Sequence, residues 1–307
     1  LDLHLLIWSL QKLPQLETLH FQYLVRVTNW RAPDISVDLP HLSSISVTSS
    51  HYAYLCQVAN HIRFPATARV QVRFMPEETL VPERWTKISE SLLRFYPNFT
   101  SAQPSRVHIQ TDRGKCHIAC WYGPLSAISE TPSHTTADFL FELDCSQNLY
   151  LGRPYFFTEP FRILFKDLGL ASAPSLSLSE QCMSSLWQID WARIFREATC
   201  VQELRVSHWI HSPLNAARSA RAAPPLADGQ VSTSTSPFPT PPLPALKKLI
   251  VANALLSDHI GGDFWALEQY LMYRWDRDAA LEELAFDNCS GEFDARHLNR
   301  YTQAGSK

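Results

Sequence analysis

The sequence predicts a mixed α/β fold: an irregular solenoid, or horseshoe, of stacked strand and helix units, with parallel strands on the concave face and helices on the convex face. Three observations predict it. Apolar triplets recur at relative positions 0, 3 and 5, and helical apolar stripes stand ahead of several of them. Glycine is scarce and proline plentiful, nine Gly against 21 Pro in 307 residues. That balance favours rigid corners between short elements and leaves little material for phosphate-cradling loops.

The triplets are Leu16/Leu19/Phe21, Leu42/Ile45/Val47, Val201/Leu204/Val206, Leu246/Leu249/Val251 and Leu281/Leu284/Phe286. The last places Cys289 at position 8 and completes L-x-x-L-x-L-x-x-C, the leucine-rich-repeat form. Between them the alternating pairs Val70/Val72, Val107/Ile109, Ile118/Cys120 and Phe141/Leu143 predict short strands with one buried face. Pro14, Pro40 and Pro244 announce three of the triplets and Glu282-Glu283 a fourth. Proline cannot donate to a strand ladder, so it sets the corner leading into one. Helical stripes are Leu3, Ile7, Leu10 and Leu13; Ile88, Leu92 and Phe95; Trp191, Ile194 and Phe195; and Phe264, Leu267, Leu271 and Trp275, with Asp263 placed to cap the last.

The clear copies lie 26, 45 and 35 residues apart, with a gap of 159 between the second and third. Regular leucine-rich repeats run about 20–29 residues, so insertions or longer units are expected. The predicted organisation is an N-terminal solenoid part over 1–211, a disordered Pro/Ser/Ala-rich insert over 212–245, and C-terminal repeats of the same solenoid over 246–307. The insert holds eight prolines and few bulky apolar residues. Ser236-Pro237 and Thr240-Pro241 fit proline-directed phosphorylation, although low-complexity sequence supplies such dipeptides by itself.

Apolar types make up 45% of the chain and charged types 19%, which excludes global disorder. A formal charge of −3 gives no electrostatic case for nucleic acid or an anionic membrane as partner. No apolar run approaches the roughly 18 residues of a membrane-spanning helix, and the opening LHLLIW lacks the length and basic flank of a signal peptide. The expected location is cytoplasmic, nuclear or both. Seven cysteines, an odd and scattered set, predict free thiols and not a disulfide framework. The sequon Asn98-Phe99-Thr100 is discounted in that setting. The chain opens at Leu1 within a helical pattern, which predicts further sequence upstream.

No catalytic, cofactor-binding or metal-binding residue is assigned. G-x-S-x-G, G-x-G-x-x-G and a Gly-rich turn ending in Lys are all absent. Cys116-His117 with Cys120, and His208 with His211, lack the second half of a four-ligand zinc site. Gly261-Gly262-Asp263 reads as a loop and helix cap, and Glu77, Glu78 and Glu83 as a solvated corner.

A single strand and helix cannot bury their own apolar faces, so each unit must stack on the next, leaving the strands to line one continuous wall. Alternating strand positions then project from it: His20, Gln22, Ser46, Thr48, Gln71, Arg73, His108, Gln110, Arg205 and Ser207. Mixed polar side chains on a rigid wall suit an extended protein partner better than an enclosed small substrate.

VDLPHLSSISVTSS (37–50), FPATARVQV (64–72), WARIFREATCVQELRVS (191–207) and FWALEQYLMYRWDRDAALEELAFDNCS (264–290) resemble the leucine-rich-repeat region of fungal F-box proteins, those of basidiomycetes above all. The resemblance covers most of the chain outside 212–245. It implies repeats that select a protein for ubiquitination, and an upstream F-box docking the Skp-type adaptor of a cullin ubiquitin ligase. No F-box is visible here, since Leu13-Pro14-Gln15-Leu16 runs directly into a predicted strand. The alternative is a structural or assembly-forming repeat protein with no ubiquitin role; an enzyme of unrecognised α/β type stands third. The protein target is not legible in the sequence.

Overall fold

The computed structural model describes residues 3–22, 36–76, 81–112, 114–124, 136–146, 158–180, 189–219, 241–257, 262–291 and 295–302. The chain forms two compact units, residues 1–170 with 184–189, and residues 171–183 with 190–307.

In the first unit α1 (Leu3–Gln11) and β1 (Thr18–Phe21) precede β2 (Val37–Asp38), β3 (Ser44–Ser49), α2 (Tyr52–His61), β4 (Ile62–Arg63) and β5 (Arg69–Phe74). There follow α3 (Pro82–Phe95), α4 (Asn98–Ser101), β6 (Arg106–Asp112), β7 (Lys115–Trp121), β8 (Phe139–Asp144) and α5 (Thr158–Asp167). The strands line up in the order β1-β3-β5-β8-β7-β6, while β2 and β4 pair with each other. Alternation fixes their faces: Ile45, Val47, Val70, Val72, Ile109, Ile118 and Phe141 are buried on one side. Helix α3 has Pro82 and Glu83 in its first turn and Arg94 in its last, a placement its dipole favours. Its buried Trp85, Ile88, Leu92 and Phe95 recur at helical spacing, and Trp85 meets Phe74 of β5 edge-on at 5.8 Å. Burying each such side chain contributes roughly 1.5–3 kcal/mol.

The expectation of parallel strands throughout is corrected at β7, which runs antiparallel to both β6 and β8. The cause is local: Gly114 adopts φ 89, a tight hairpin turns the chain straight back after Asp112, and a parallel pairing would have needed a long crossover. β8 then fits between β7 and β5, so β5 and β6, successive in sequence, are not neighbours in the sheet.

The second unit follows the expected order of helix, corner and strand. β9 (Ser175–Glu180), α6 (Trp191–Glu197), β10 (Glu203–His208), α7 (His211–Ser219), β11 (Lys248–Ala252), α8 (Asp263–Trp275), β12 (Glu283–Asp287) and α9 (Ala295–Leu298) succeed one another, with β9-β10-β11-β12 adjacent and parallel. One device recurs at each step. The carbonyl of Pro174 accepts from the backbone of Gln202 and Glu203, that of Gln202 from Lys247 and Lys248, and that of Lys247 from Glu282 and Glu283. His208, Asn253 and Asn288, in matching register, take left-handed φ of 66, 49 and 50. Leu243 and Asp278, each three residues ahead of a triplet, do likewise at 54 and 53.

Arg274 lies in this unit, 1% exposed, and its guanidinium donates to the carbonyls of Ala279 (2.9 Å), Pro242 (3.3 Å), Leu243 (3.1 Å) and Leu246 (3.0 Å). A buried charge survives because it satisfies carbonyls that the tight corner before β11 and the turn after α8 would otherwise leave unbonded.

Three sequence expectations need amendment. Helix α7 takes in residues 212–219, the start of the expected insert, because Leu214 and Ala217 are buried; residues 220–240, with Ser236 and Thr240, lie outside the described residues. Asp263 does not cap α8, whose N-cap is Gly262; its carboxylate accepts from the His211 backbone at 3.0 Å and so caps α7 instead. Leu13 lies beyond the end of α1, and both it and Trp275 are exposed.

Candidate functional site

The polar face of the first sheet is assembled by register. His20, Ser46, Gln71, Leu140, Ala119 and His108 stand side by side across β1, β3, β5, β8, β7 and β6. One step along come Thr48, Arg73, Glu142, His117 and Gln110, and beyond these Asp144, Lys115 and Asp112. Seven of the eight first-unit residues expected on the wall therefore fall on one face in two rows; Gln22, the eighth, is exposed just past the end of β1.

The second and third rows carry an ion-pair network. Arg73 reaches Glu142 through Nε at 3.2 Å and Asp144 through Nη2 at 2.6 Å, and the Lys115 amine lies 3.4 Å from Asp144 and 3.9 Å from Glu142. Ser146 donates to Asp144 from its hydroxyl at 2.6 Å and its backbone at 3.1 Å. Burial works to raise the Asp144 carboxyl, but the Ser146 and Arg73 hydrogen bonds and the Lys115 charge outweigh it and hold the group down at about 2. Burial lowers the His117 imidazole, aided by Lys115 and Arg73 and opposed by Glu142 and Asp144. A carboxylate held that low is a poor proton acceptor, and Asp144 is suited to electrostatic binding and not to general-base chemistry.

His108 does not project into solvent as expected. It is buried next to Ala119, which clusters with Trp121, Ala137 and Leu140 on the same face. In the second unit Arg205 hydrogen-bonds Asp287 across β11, and Lys248 pairs with Glu283 at 2.9 Å. Ser207 is likewise buried, its hydroxyl donating to the Leu178 carbonyl at 3.1 Å.

Glu142, Asp144, Lys115 and His117 were missed as wall residues, although the rule that found His108 and Gln110 reaches them. Phe141/Leu143 and Ile118/Cys120 were legible as inward pairs, and their alternate neighbours are these polar groups.

Among the described residues no three His, Cys, Asp or Glu side chains group to hold a metal. Cys116, Cys120 and Cys145 are buried free thiols pushed up by burial, Cys56 and Cys289 are half-buried, Cys200 is exposed, and Cys182 lies outside the described residues. Glu83 is exposed in the first turn of α3; Glu77, Glu78 and Gly261 lie outside. Asn98 of the sequon uses its amide to donate to Ala66 O and Tyr96 Oη, both at 2.8 Å. Among the described residues no helix is long and apolar enough to cross a membrane. No protein-family model, no curated protein and no solved structure matches this chain.

Proposed function

We propose that this chain is a non-catalytic protein-recognition scaffold, the substrate-selecting leucine-rich-repeat region of an F-box subunit of a cullin-type ubiquitin ligase. One observation carries the reading: in the second unit the strand, the left-handed residue after it and the doubly accepting carbonyl before it recur in register from step to step. Such repetition belongs to stacked units that share a core and leave one polar wall for a partner. The solenoid curvature, the cytoplasmic or nuclear location and the link to a Skp-type adaptor belong to the same proposal, as does the absence of a catalytic role.

The exposed apolar residues Leu5 and Trp8 of α1, with Leu13 just past its end, favour a second reading, a structural or assembly-forming repeat protein. Co-purification of the full-length gene product with a Skp-type adaptor separates the two. A stoichiometric complex is expected; a product that forms ordered homo-oligomers and leaves the adaptor unbound would establish the second reading.

A further inference from the structure

In the second unit each step completes the one before it. Leu204 and Val206 of β10 and Leu249 and Val251 of β11 are fully buried, and each of these strands has a further strand beyond it. Their counterparts on β12, Leu284 and Phe286, are only half-buried, and among the described residues β12 is the last strand in the order. Parallel pairing sends the backbone groups of alternate residues to opposite edges. Glu283 donates to the Lys247 carbonyl and the Asp287 carbonyl accepts from Asn253, so these two face β11 and the backbone of Leu284 faces the outer edge.

That edge has a register and a sign. Leu281 pairs in parallel with Thr302, so a further step is begun there, yet the residues after Thr302, QAGSK, include no bulky apolar side chain to complete it. Glu203 of β10 is answered in register by Lys248 of β11, and Lys248 by Glu283 of β12 at 2.9 Å. The charge alternates from strand to strand and ends on a carboxylate. Glu282, Glu283 and Asp287 are exposed and are neutralised from the inner side by Lys247, Lys248 and Arg205. Charge therefore sets register and rejects like-charged partners, while the backbone and the half-buried apolar pair supply the attraction.

We propose that the outer edge of β12 takes up a parallel strand from a partner protein, patterned like β11: a lysine or arginine opposite Glu283, then apolar residues opposite Leu284 and Phe286. β10 presents the same edge, with Glu203, Leu204 and Val206 in these places, and β11 is what it receives. A second copy of this chain is the disfavoured occupant, since two β12 edges would bring carboxylates against one another. The inference concerns the end of the sheet and not its polar wall, so it goes beyond the recognition reading and does not require the ligase link.

The test uses the whole chain and a synthetic peptide copying residues 245–254, ALKKLIVANA. One counterpart replaces both lysines with glutamate. The other is N-methylated at the isoleucine. In β11 the Lys248 amide donates to the Gln202 carbonyl, so the Ile250 amide, two residues on, faces β10, and its equivalent in the peptide is the donor that meets β12. N-methylation removes that donor and keeps every side chain. NMR shift perturbation and amide hydrogen exchange read the binding. The lysine peptide is expected to shift Leu284 and Phe286 and to slow exchange of the Leu284 amide, which should be fast in the free chain. The N-methylated peptide is expected not to bind, and the glutamate peptide to bind about fivefold more weakly. Glu283→Lys should reverse the preference between the lysine and glutamate peptides, and its urea unfolding midpoint shows that the fold is retained. A Leu284 amide already protected in the free chain, no binding of the lysine peptide, equal binding of either counterpart, an unchanged preference in Glu283→Lys, or shifts confined to the polar wall would each overturn the assignment. A dimer seen by sedimentation and dissociated by Glu283→Lys would make the occupant a second copy and overturn it too. Loss of the adaptor complex bears on the ligase role alone, and loss of peptide binding on this edge alone.

Discussion

The side-chain amide of Asn288 donates to the side-chain oxygen of Asn253 at 2.8 Å, and both residues, 35 positions apart, hold left-handed backbones at φ 50 and 49. They directly follow β12 and β11 at the same step of the repeat. Asparagine suits the place twice, tolerating this backbone and linking one turn to the next. Asn288→Gly, which loses the link but relaxes the backbone, should stay within about 1 kcal/mol of the parent, whereas Asn288→Val should cost about 2 kcal/mol. Urea unfolding measures both; equal losses would mean that the backbone conformation is not what selects the residue.

Arg274 should tolerate no substitute. Methionine fills similar volume but abandons the carbonyls of Pro242, Leu243, Leu246 and Ala279, and lysine reaches fewer of them. Loss of about 3 kcal/mol or more is expected for Arg274→Met, with only partial recovery in Arg274→Lys. Equal stability of Arg274→Met and the parent would show that these carbonyls find other donors.

Glu180, the last residue of β9, is pushed up to about 7 by burial, against a hydrogen bond from Trp191. Because the folded value is raised, its contribution is fully present below the unfolded value near 4.5 and is lost as pH rises to 7. The loss is at most about 1.4 kcal/mol per pH unit in that interval. Glu180→Gln should remove this slope and be more stable than the parent at pH 8. Parallel pH–stability curves for the two proteins would contradict it.

Asp144 titrates with the opposite sign. Its folded value of about 2 lies below the ordinary 3.8, so its contribution is present above pH 4 and disappears between about 4 and 2. Asp144→Asn should therefore be less stable than the parent at neutral pH and converge with it near pH 2. Thermal unfolding across that range reads the convergence.

Much of the architecture was legible in the order of residues. The triplets at Val201, Leu246 and Leu281 lead into β10, β11 and β12, and the alternating pairs mark β5 to β8. Ser175–Glu180, with Leu176 and Leu178 alternating among serines, carries a weaker form of the same signal, because serine lacks the β-branching expected of a strand. The direction of β7 depends on the backbone at Gly114, a turn signal that competes with apolar periodicity and is silent about which strand lies beyond. The ion-pair network was the least visible part. Arg73 and Asp144 lie 71 residues apart, and only the insertion of β8 beside β5 brings them together.

That insertion also sets a timetable for synthesis. About 65 residues of chain separate the end of β5 from the start of β8, its partner in the sheet. As the polypeptide leaves the ribosome, one flank of β5 must wait, its amides and carbonyls bonded only to water, until the β6–β7 hairpin and then β8 have emerged. Closing so long a loop carries an entropic cost before any contact rewards it. The later unit adds each strand directly onto its predecessor, so its nascent pieces can dock as they appear. The earlier half, although made first, is thus the one that a chaperone would need to shield for longer.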